Sequence, residues 1–354
     1  MQSPSRSASR LDPIATLDHV AAAMPKPAEF VAKLPAEARA WQRRTRKALA
    51  DVVGFLDQKR VPLAPRIVRS VDRGSYVRRK VMLRTTPWSD LPLYVLEPKT
   101  PGKKPVVLAL HGHGYGVKDI VGLWEDGSER WEPEGYHKDF GCELAQRGFV
   151  VVAPEISCFG ERVSDYEHLK KTLQPTTCHN AGTYAMMLGK SIAGLRVWEG
   201  MRALDYVETL NGADATRIGA MGISGGGLHT FFSTALDLRI KACVISGYFC
   251  DWRHSVLAMN HCTCNFIPGL MTLGELSDLA ALVAPRPCLV ENGTKDDIFP
   301  IEHVKRTVNK ARRAWDVFGA RDELQTDYFE GRHAIGGGKA YDFLAKHLAA
   351  DGRR

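Results

Sequence analysis

Two spacings of apolar residues divide the chain. In "PAEFVAKLPAEARAWQRRTRKALADVVGFLDQK", residues 27–59, the spacing is helical: Ala40, Leu49, Val52, Val53 and Leu56 share a face, with Arg43, Arg44, Arg46 and Lys47 on the basic side. Pro35 splits this stretch into a short helix and a longer one. Then the period changes. "YVRRKVMLRT" and "LPLYVLEP" read as short strands divided by a "TPWSD" turn. From residue 104 the order strand, turn, helix repeats. "KPVVLALHG", "FVVVAPE", "RIGAMGIS", "KACVISGYF", "PCLVENG" and "LQTDYFEG" supply the strands. "HKDFGCELAQRG", a long region from "AGTYAMMLG" to "ALDYVETL" bent near its glycines, "GLHTFFSTALD", "GELSDLAALVA", "IEHVKRTVNKARRAWDVFG" and "GKAYDFLAKHLAA" supply the helices.

Continuously apolar strands alternating with helices imply a mostly parallel sheet covered on both faces. The chain therefore reads as α/β: a basic N-terminal helical arm over residues 1–74, its first ~25 residues disordered, followed by a catalytic domain over 75–354. No internal repeat appears, and no linker after residue 85 is long enough to separate two domains.

Composition narrows the classes. The 354 residues are 44% hydrophobic and 25% charged, as in soluble globular proteins. No apolar run approaches the roughly 18–20 residues that a membrane span requires. The start, "MQSPSRSASRLDPIATL", lacks the apolar stretch of a secretory signal, so a cytoplasmic location is expected. The net charge of +8 is uneven: residues 1–84 carry a surplus of 11 positive charges, and the remainder a deficit of 3. Such an arm could meet nucleic acid, but no nucleic-acid motif accompanies it. A solvated face or a homo-oligomer contact is the preferred reading. The eight cysteines form no disulfide frame and are read as reduced. In "HCTCN" (261–265), Cys262-x-Cys264 is tighter than usual zinc spacing and no partner pair follows, so structural thiols are expected. "CHN" at 178–180 has cysteine-protease residue types, but those groups converge from distant parts of a chain.

The chemistry gathers around "RIGAMGISGGGLHT". Gly222-Ile223-Ser224-Gly225-Gly226 satisfies G-x-S-x-G and lies between a strand and a helix, the context in which this motif exposes a nucleophile. Flanking glycines remove the Cβ atoms that so sharp a turn would bring into collision. A serine hydroxyl needs a base, and the base an orienting acid. Chain order then points to Asp296, just past "PCLVENG", with Asp297 and Glu291 as rivals, and to His333 after the last strand. Donors for an oxyanion are expected from the amides of Gly225, at a helix N-terminus, and of His113 in "LALHGHGYG", preferred to Gly114. His111 and His113 could ligate a metal, but no acidic residue at ligand spacing joins them. No metal and no cofactor is called for. Activity is expected to rise with pH as the base becomes neutral.

These segments resemble the α/β-hydrolase fold, and more narrowly the dienelactone-hydrolase and acetyl-xylan-esterase-like serine hydrolases. The resemblance covers roughly residues 75–350. It is carried by "ALHGHG", "YHKDFGCELAQRGFVVVAPE", "CFGER", "GISGGG", "NHCTCNFIPG", "APRPCLVENGTKDDIFP" and "GRHAIGG". It implies Ser224 as nucleophile, Asp296 as acid (the family's D-x-x-x-P aligns it with Pro300), His333 as base, and the amides of His113 and Gly225 as the oxyanion hole. Dienelactone hydrolases proper use cysteine where this chain has Ser224, which speaks against their substrate. "NHCTCNFIPGLMTLGEL" falls where such enzymes place a cap, making Phe266 and Met271 candidates to touch substrate or to pack in the core. Glu155, Arg162 and the Arg196/Glu199/Arg202 set could build the pocket or form ion pairs.

The expected activity is cleavage of a small-molecule carboxylic ester, of short acyl length, through an acyl-enzyme on Ser224. The alternatives are a prolyl-oligopeptidase-like peptidase, which the missing propeller-length extension disfavours, a lactone hydrolase, and a binding protein on a hydrolase scaffold, which normally lacks a triad member.

Overall fold

Alternation along the central strands sorts side chains onto two buried faces. In the computed structural model, which describes residues 12–165 and 176–350, the strands are β1 Arg66–Asp72, β2 Tyr76–Thr86, β3 Ser89–Pro98, β4 Lys104–Leu110, β5 Val150–Pro154, β6 Ala213–Ile223, β7 Ile240–Ser246, β8 Cys288–Gly293 and β9 Leu324–Phe329. Val107, Ala109, Met221, Val244 and Leu289 point to one side. On the other side lie Leu108, Leu110 and Ala220, with Cys243, Ile245 and Val290. Both faces are apolar because both are covered.

The strands form one sheet in the order β1-β2-β3-β5-β4-β6-β7-β8-β9. Pairing is antiparallel from β1 to β5 and parallel from β5 through β4 to β9. The helices are α1 Pro13–Ala23, α2 Pro35–Val53, α3 Phe140–Gln146, α4 Cys178–Met187, α5 Ile192–Val207, α6 Gly225–Leu236, α7 Leu270–Leu273, α8 Leu276–Leu279, α9 Ile301–Val317 and α10 Ala340–His347. The α3 and α10 helices pack on the first face, and α5, α6 and α9 on the second. Among the described residues no helix is long and apolar enough to cross a membrane. The parallel strands all aim their carboxyl ends at one edge, where an open α/β sheet of this kind gathers its ligands.

Four expectations need correction. Residues 27–34 form no helix; a helix precedes them instead at Pro13–Ala23, where disorder was expected. Asp12 caps it by accepting from the Ile14 amide at 2.9 Å, and Pro13 opens it. Residues 1–11 lie outside the described residues. The long arm helix stops at Val53, where Gly54 (φ 75°) turns the chain out of it. The helix expected from His137 begins only at Phe140, because Lys138 and Asp139 have φ of 49° and 45°. Lastly, β1 had no counterpart in the sequence reading: it is an exposed edge strand with no buried residue to print an apolar alternation.

The basic face of α2 is only partly a surface. Arg43, Arg44 and Lys47 are exposed, but the Arg46 guanidinium donates to the carbonyls of Ala235 (2.8 Å) and Leu282 (3.1 Å). Gln42 donates to those of Ala281 (2.6 Å) and Ala284 (2.5 Å). Trp41, Leu49 and Val53 share a core with Phe231 and Trp315. Thus α2 supplies donors to carbonyl oxygens at the end of α6 and around residue 282, the Leu282 carbonyl also accepting from Arg286 at 3.0 Å.

Candidate active site

At the junction of β6 and α6 the backbone of Ser224 adopts φ 59° and ψ −121°. Such a conformation costs a non-glycine residue about 1–3 kcal/mol and persists only when its surroundings enforce it. They do so here: the Ser224 amide donates to the Ser246 carbonyl at 3.0 Å, and the Ser224 carbonyl accepts from Leu228 N–H at 2.9 Å. A Cβ on Gly226 would collide with the carbonyl of Leu110, and one on Gly222 with those of Gly226 and Leu110. The glycines let β4, β6 and α6 approach closely enough to force the turn.

Beyond β8 the chain folds back so that Asp296 Oδ1 accepts from the amides of Ile298 (2.9 Å) and Phe299 (3.0 Å). This leaves Oδ2 to meet His333 Nδ1 at 2.7 Å. The rivals are placed elsewhere. Asp297 is exposed. Glu291 is buried, accepts from Ser246 Oγ (2.7 Å) and Gly337 N–H (2.6 Å), and has its carboxyl pushed upward by burial. The His333 ring stacks on Phe299, with centroids 5.7 Å apart. Its other nitrogen, Nε2, is buried without a hydrogen-bond partner among the described residues. Ser224 and His333 line one cavity of about 310 Å³. The bond between Ser224 Oγ and His333 Nε2 is not made in this structure; such contacts in substrate-free sites are often long and tighten on binding.

The turn after β4 supplies the opposite wall. Its flanking amides are engaged, Gly112 N–H by His137 Nε2 (2.8 Å) and Tyr115 N–H by Asp119 Oδ2 (3.1 Å). The amides of His113, Gly114 and Gly225 donate to no acceptor among the described residues. The His113 ring packs over Gly225 and edge-on to Phe159, and burial pushes its pKa down to about 4. Tyr136, which the sequence reading did not single out, donates its hydroxyl to the His113 carbonyl at 2.5 Å and lines the same cavity. Tyr136 opens the segment "YHKDFGCELAQRGFVVVAPE" that carries the resemblance, one residue ahead of the expected helix, and no motif gave it a role.

Other candidates separate. Phe266 and Met271 do not line the Ser224 cavity. They line an apolar cavity of about 440 Å³ with Met186, Trp252 and Leu257, while Met259, Asn260, His261 and Cys262 wall the cavity of Ser224. A larger cavity of about 540 Å³ lies at the opposite sheet edge, beside Lys104 and Gly212. Glu155 accepts from Val117 N–H at 2.9 Å. Arg162 pairs with Glu199 at 2.6 Å, and Arg202 with Asp205 at 2.5 Å. Both ring nitrogens of His111 face backbone groups, the Gly112 carbonyl (2.7 Å) and the Ile156 amide (3.0 Å), leaving none for a metal. Among the described residues two groups retain metal-compatible geometry: His113 with Cys262 and Cys264, and Asp251 with His254 and His303.

Comparison with known proteins agrees with this architecture. The model of the Abhydrolase family matches residues 15–334. "Putative hydrolase YtaP" of Bacillus subtilis (strain 168) is 29% identical over 286 residues, covering 78% of this chain and 89% of that one. A "putative acetyl xylan esterase" from Bacteroides fragilis shares the fold at a TM-score of 0.75 and 19% identity, over 98% of this chain and 92% of that one. A glucuronoyl esterase from Solibacter usitatus does so at a TM-score of 0.65 and 15% identity, over 92% and 98% respectively. With a family match that runs nearly end to end, on an α/β-hydrolase fold, the chain belongs to the Abhydrolase family.

Proposed function

We propose that this family member hydrolyses a carboxylic ester of short acyl length through an acyl-enzyme on Ser224. The observation that carries the reading is the His333 Nδ1–Asp296 Oδ2 bond of 2.7 Å, with the opposite ring nitrogen unpartnered among the described residues in a cavity shared with Ser224. Asp296 holds the proton on Nδ1, so Nε2 presents a lone pair and takes the Ser224 proton as Oγ attacks the carbonyl carbon. Negative charge developing on the carbonyl oxygen is met by the amides of His113 and Gly225, an interaction worth a few kcal/mol of barrier. His333 then protonates the departing alcohol, and a water deprotonated by the same nitrogen releases the acid.

The lining of the cavity supports a small, uncharged acyl group. Among the described residues its lining is His113, Tyr136, Met259, Asn260, His261, Cys262 and Ile298 beside Ser224 and His333, with no Lys or Arg to hold a carboxylate. The esterase names among the structural neighbours support ester cleavage, and of the two the acetyl xylan esterase is the one whose name carries a short acyl group. The test is a panel of p-nitrophenyl esters of graded acyl length, with a peptide anilide beside it. Acetate should be turned over best and the anilide not at all. Ser224→Ala should lower kcat by about 10⁴-fold or more with the fold retained. Ester turnover that survives the substitution would overturn the assignment.

A further inference from the structure

Spacing along the chain gives Cys262-x-Cys264 no partner pair, but the fold brings partners from earlier in the sequence. The turn after β4 places the His113 ring against the segment after β7. One ligand atom each from His113, Cys262 and Cys264 lies within 4.8 Å of the other two, and His113 Nε2 is 3.9 Å from Cys264 Sγ. Cys264 is fully buried, whereas His113 and Cys262 wall the cavity of Ser224 and so leave a path for entry. The Asn265 amide donates to Cys264 Sγ at 3.5 Å, the kind of outer hydrogen bond that supports a ligating thiolate.

The charges around this cluster are unusual. Arg196 on α5 is 1% exposed, and its guanidinium donates to the Ser157 carbonyl (2.9 Å) and Cys178 Sγ (3.0 Å). No carboxylate pairs with it among the described residues. A buried cation is costly unless hydrogen-bonded, and the Ser157 carbonyl and the Cys178 sulfur take that part here. A dication held by the thiolates of Cys262 and Cys264 and the neutral imidazole of His113 would form a site of zero net charge.

We propose that Cys262, Cys264 and His113 form a binding site for one thiophilic divalent cation, zinc by its chemistry, with its fourth position opening on the Ser224 cavity. Thiolate and imidazole are the donors zinc selects, and a fourth position is left open in many of its sites. Zinc–sulfur bonds of about 2.3 Å at tetrahedral angles set two sulfurs roughly 3.8 Å apart. Side-chain rotation of about an ångström therefore closes the three donors on an ion. Binding displaces the protons of the two thiols into solvent. The other candidate group is less suited: Asp251 is already bonded to His254 at 2.6 Å, and Lys26, Arg306 and Lys310 line the adjoining cavity. A cation at His113 would tie the turn after β4 to the wall of the Ser224 cavity. Its effect on the oxyanion amide rests on the reading above, but its binding does not.

The experiment is metal analysis of the full chain, purified with a thiol reductant and without chelator, followed by addition of cobalt to the chelator-treated, desalted protein. About one zinc per chain and a thiolate-to-cobalt charge-transfer band are expected. Reduced wild-type protein with neither zinc nor the band overturns the proposal, as does a mass lower by two hydrogens in metal-free protein, which would mark a disulfide. Cys262→Ser/Cys264→Ser should abolish the band and weaken zinc binding by more than about 100-fold, beyond the loss from an outer partner. A band that persists there, or zinc lost in His254→Gln, places the metal elsewhere. Should the double variant not fold, the wild-type cobalt spectrum decides. Failure of the ester reading would leave all these readouts unchanged.

Discussion

At Gly226 one hydrogen atom stands where any side chain would meet the Leu110 carbonyl. Gly226→Ala should therefore cost about 1–3 kcal/mol of stability, as overpacking does, and lower turnover with it; an unchanged urea midpoint would contradict this. Tyr136 acts one step away, through its bond to the His113 carbonyl. Tyr136→Phe should lower kcat about 5–10-fold with KM little changed, since a hydrogen bond of this kind contributes about 1 kcal/mol. An increase confined to KM would instead mark Tyr136 as a substrate contact. That Ser224, Asp296 and His333 would gather at one sheet edge was legible because motif, chain order and strand ends constrain them together. Tyr136 was not, and Phe266 and Met271, candidates for substrate or for the core, pack against the core and line a cavity other than that of Ser224, because no periodicity reports where a loop side chain points.

Elements with two buried faces were the readable ones. The strands β4 to β8 print continuous apolar runs, and α9 prints a clean helical stripe, buried at Val304, Val308, Ala311 and Trp315. The edge strand β1 and the exposed helix α1 bury nothing in the core, so no hydrophobic pattern announces them. The α2 helix was foreseen as a helix, but its basic face concealed that Arg46 turns inward to carbonyl oxygens. Because Trp41 shares the core of Phe231 and Trp315, Trp41→Ala should cost about 3–5 kcal/mol. We further expect deletion of residues 1–60 to lower the thermal midpoint sharply rather than release an intact body. A midpoint unmoved by the deletion would make the arm an appendage.

The whole molecule carries an acid-sensitive interior. Burial drives the pKa of His229 down to about 3, and that of His137 well below its ordinary value. The unfolded chain takes up protons near pH 6.5 that the folded chain refuses. Stability is therefore full above that pH and falls on acidification, by up to about 1.4 kcal/mol per pH unit for each histidine. The urea midpoint should drop between pH 7 and 5, and His229→Gln should flatten the drop; a midpoint constant over that range would contradict it. In the proposed site, three residues spread from 224 to 333 meet only because every parallel strand ends at the same edge, so on this reading their reactivity belongs to the folded molecule. The most direct test is covalent labelling with a fluorophosphonate, read by peptide mass mapping. The account predicts one adduct per chain, on Ser224, in the native protein and none in urea or in His333→Gln. Adducts on other serines, or equal labelling of the unfolded chain, would contradict it.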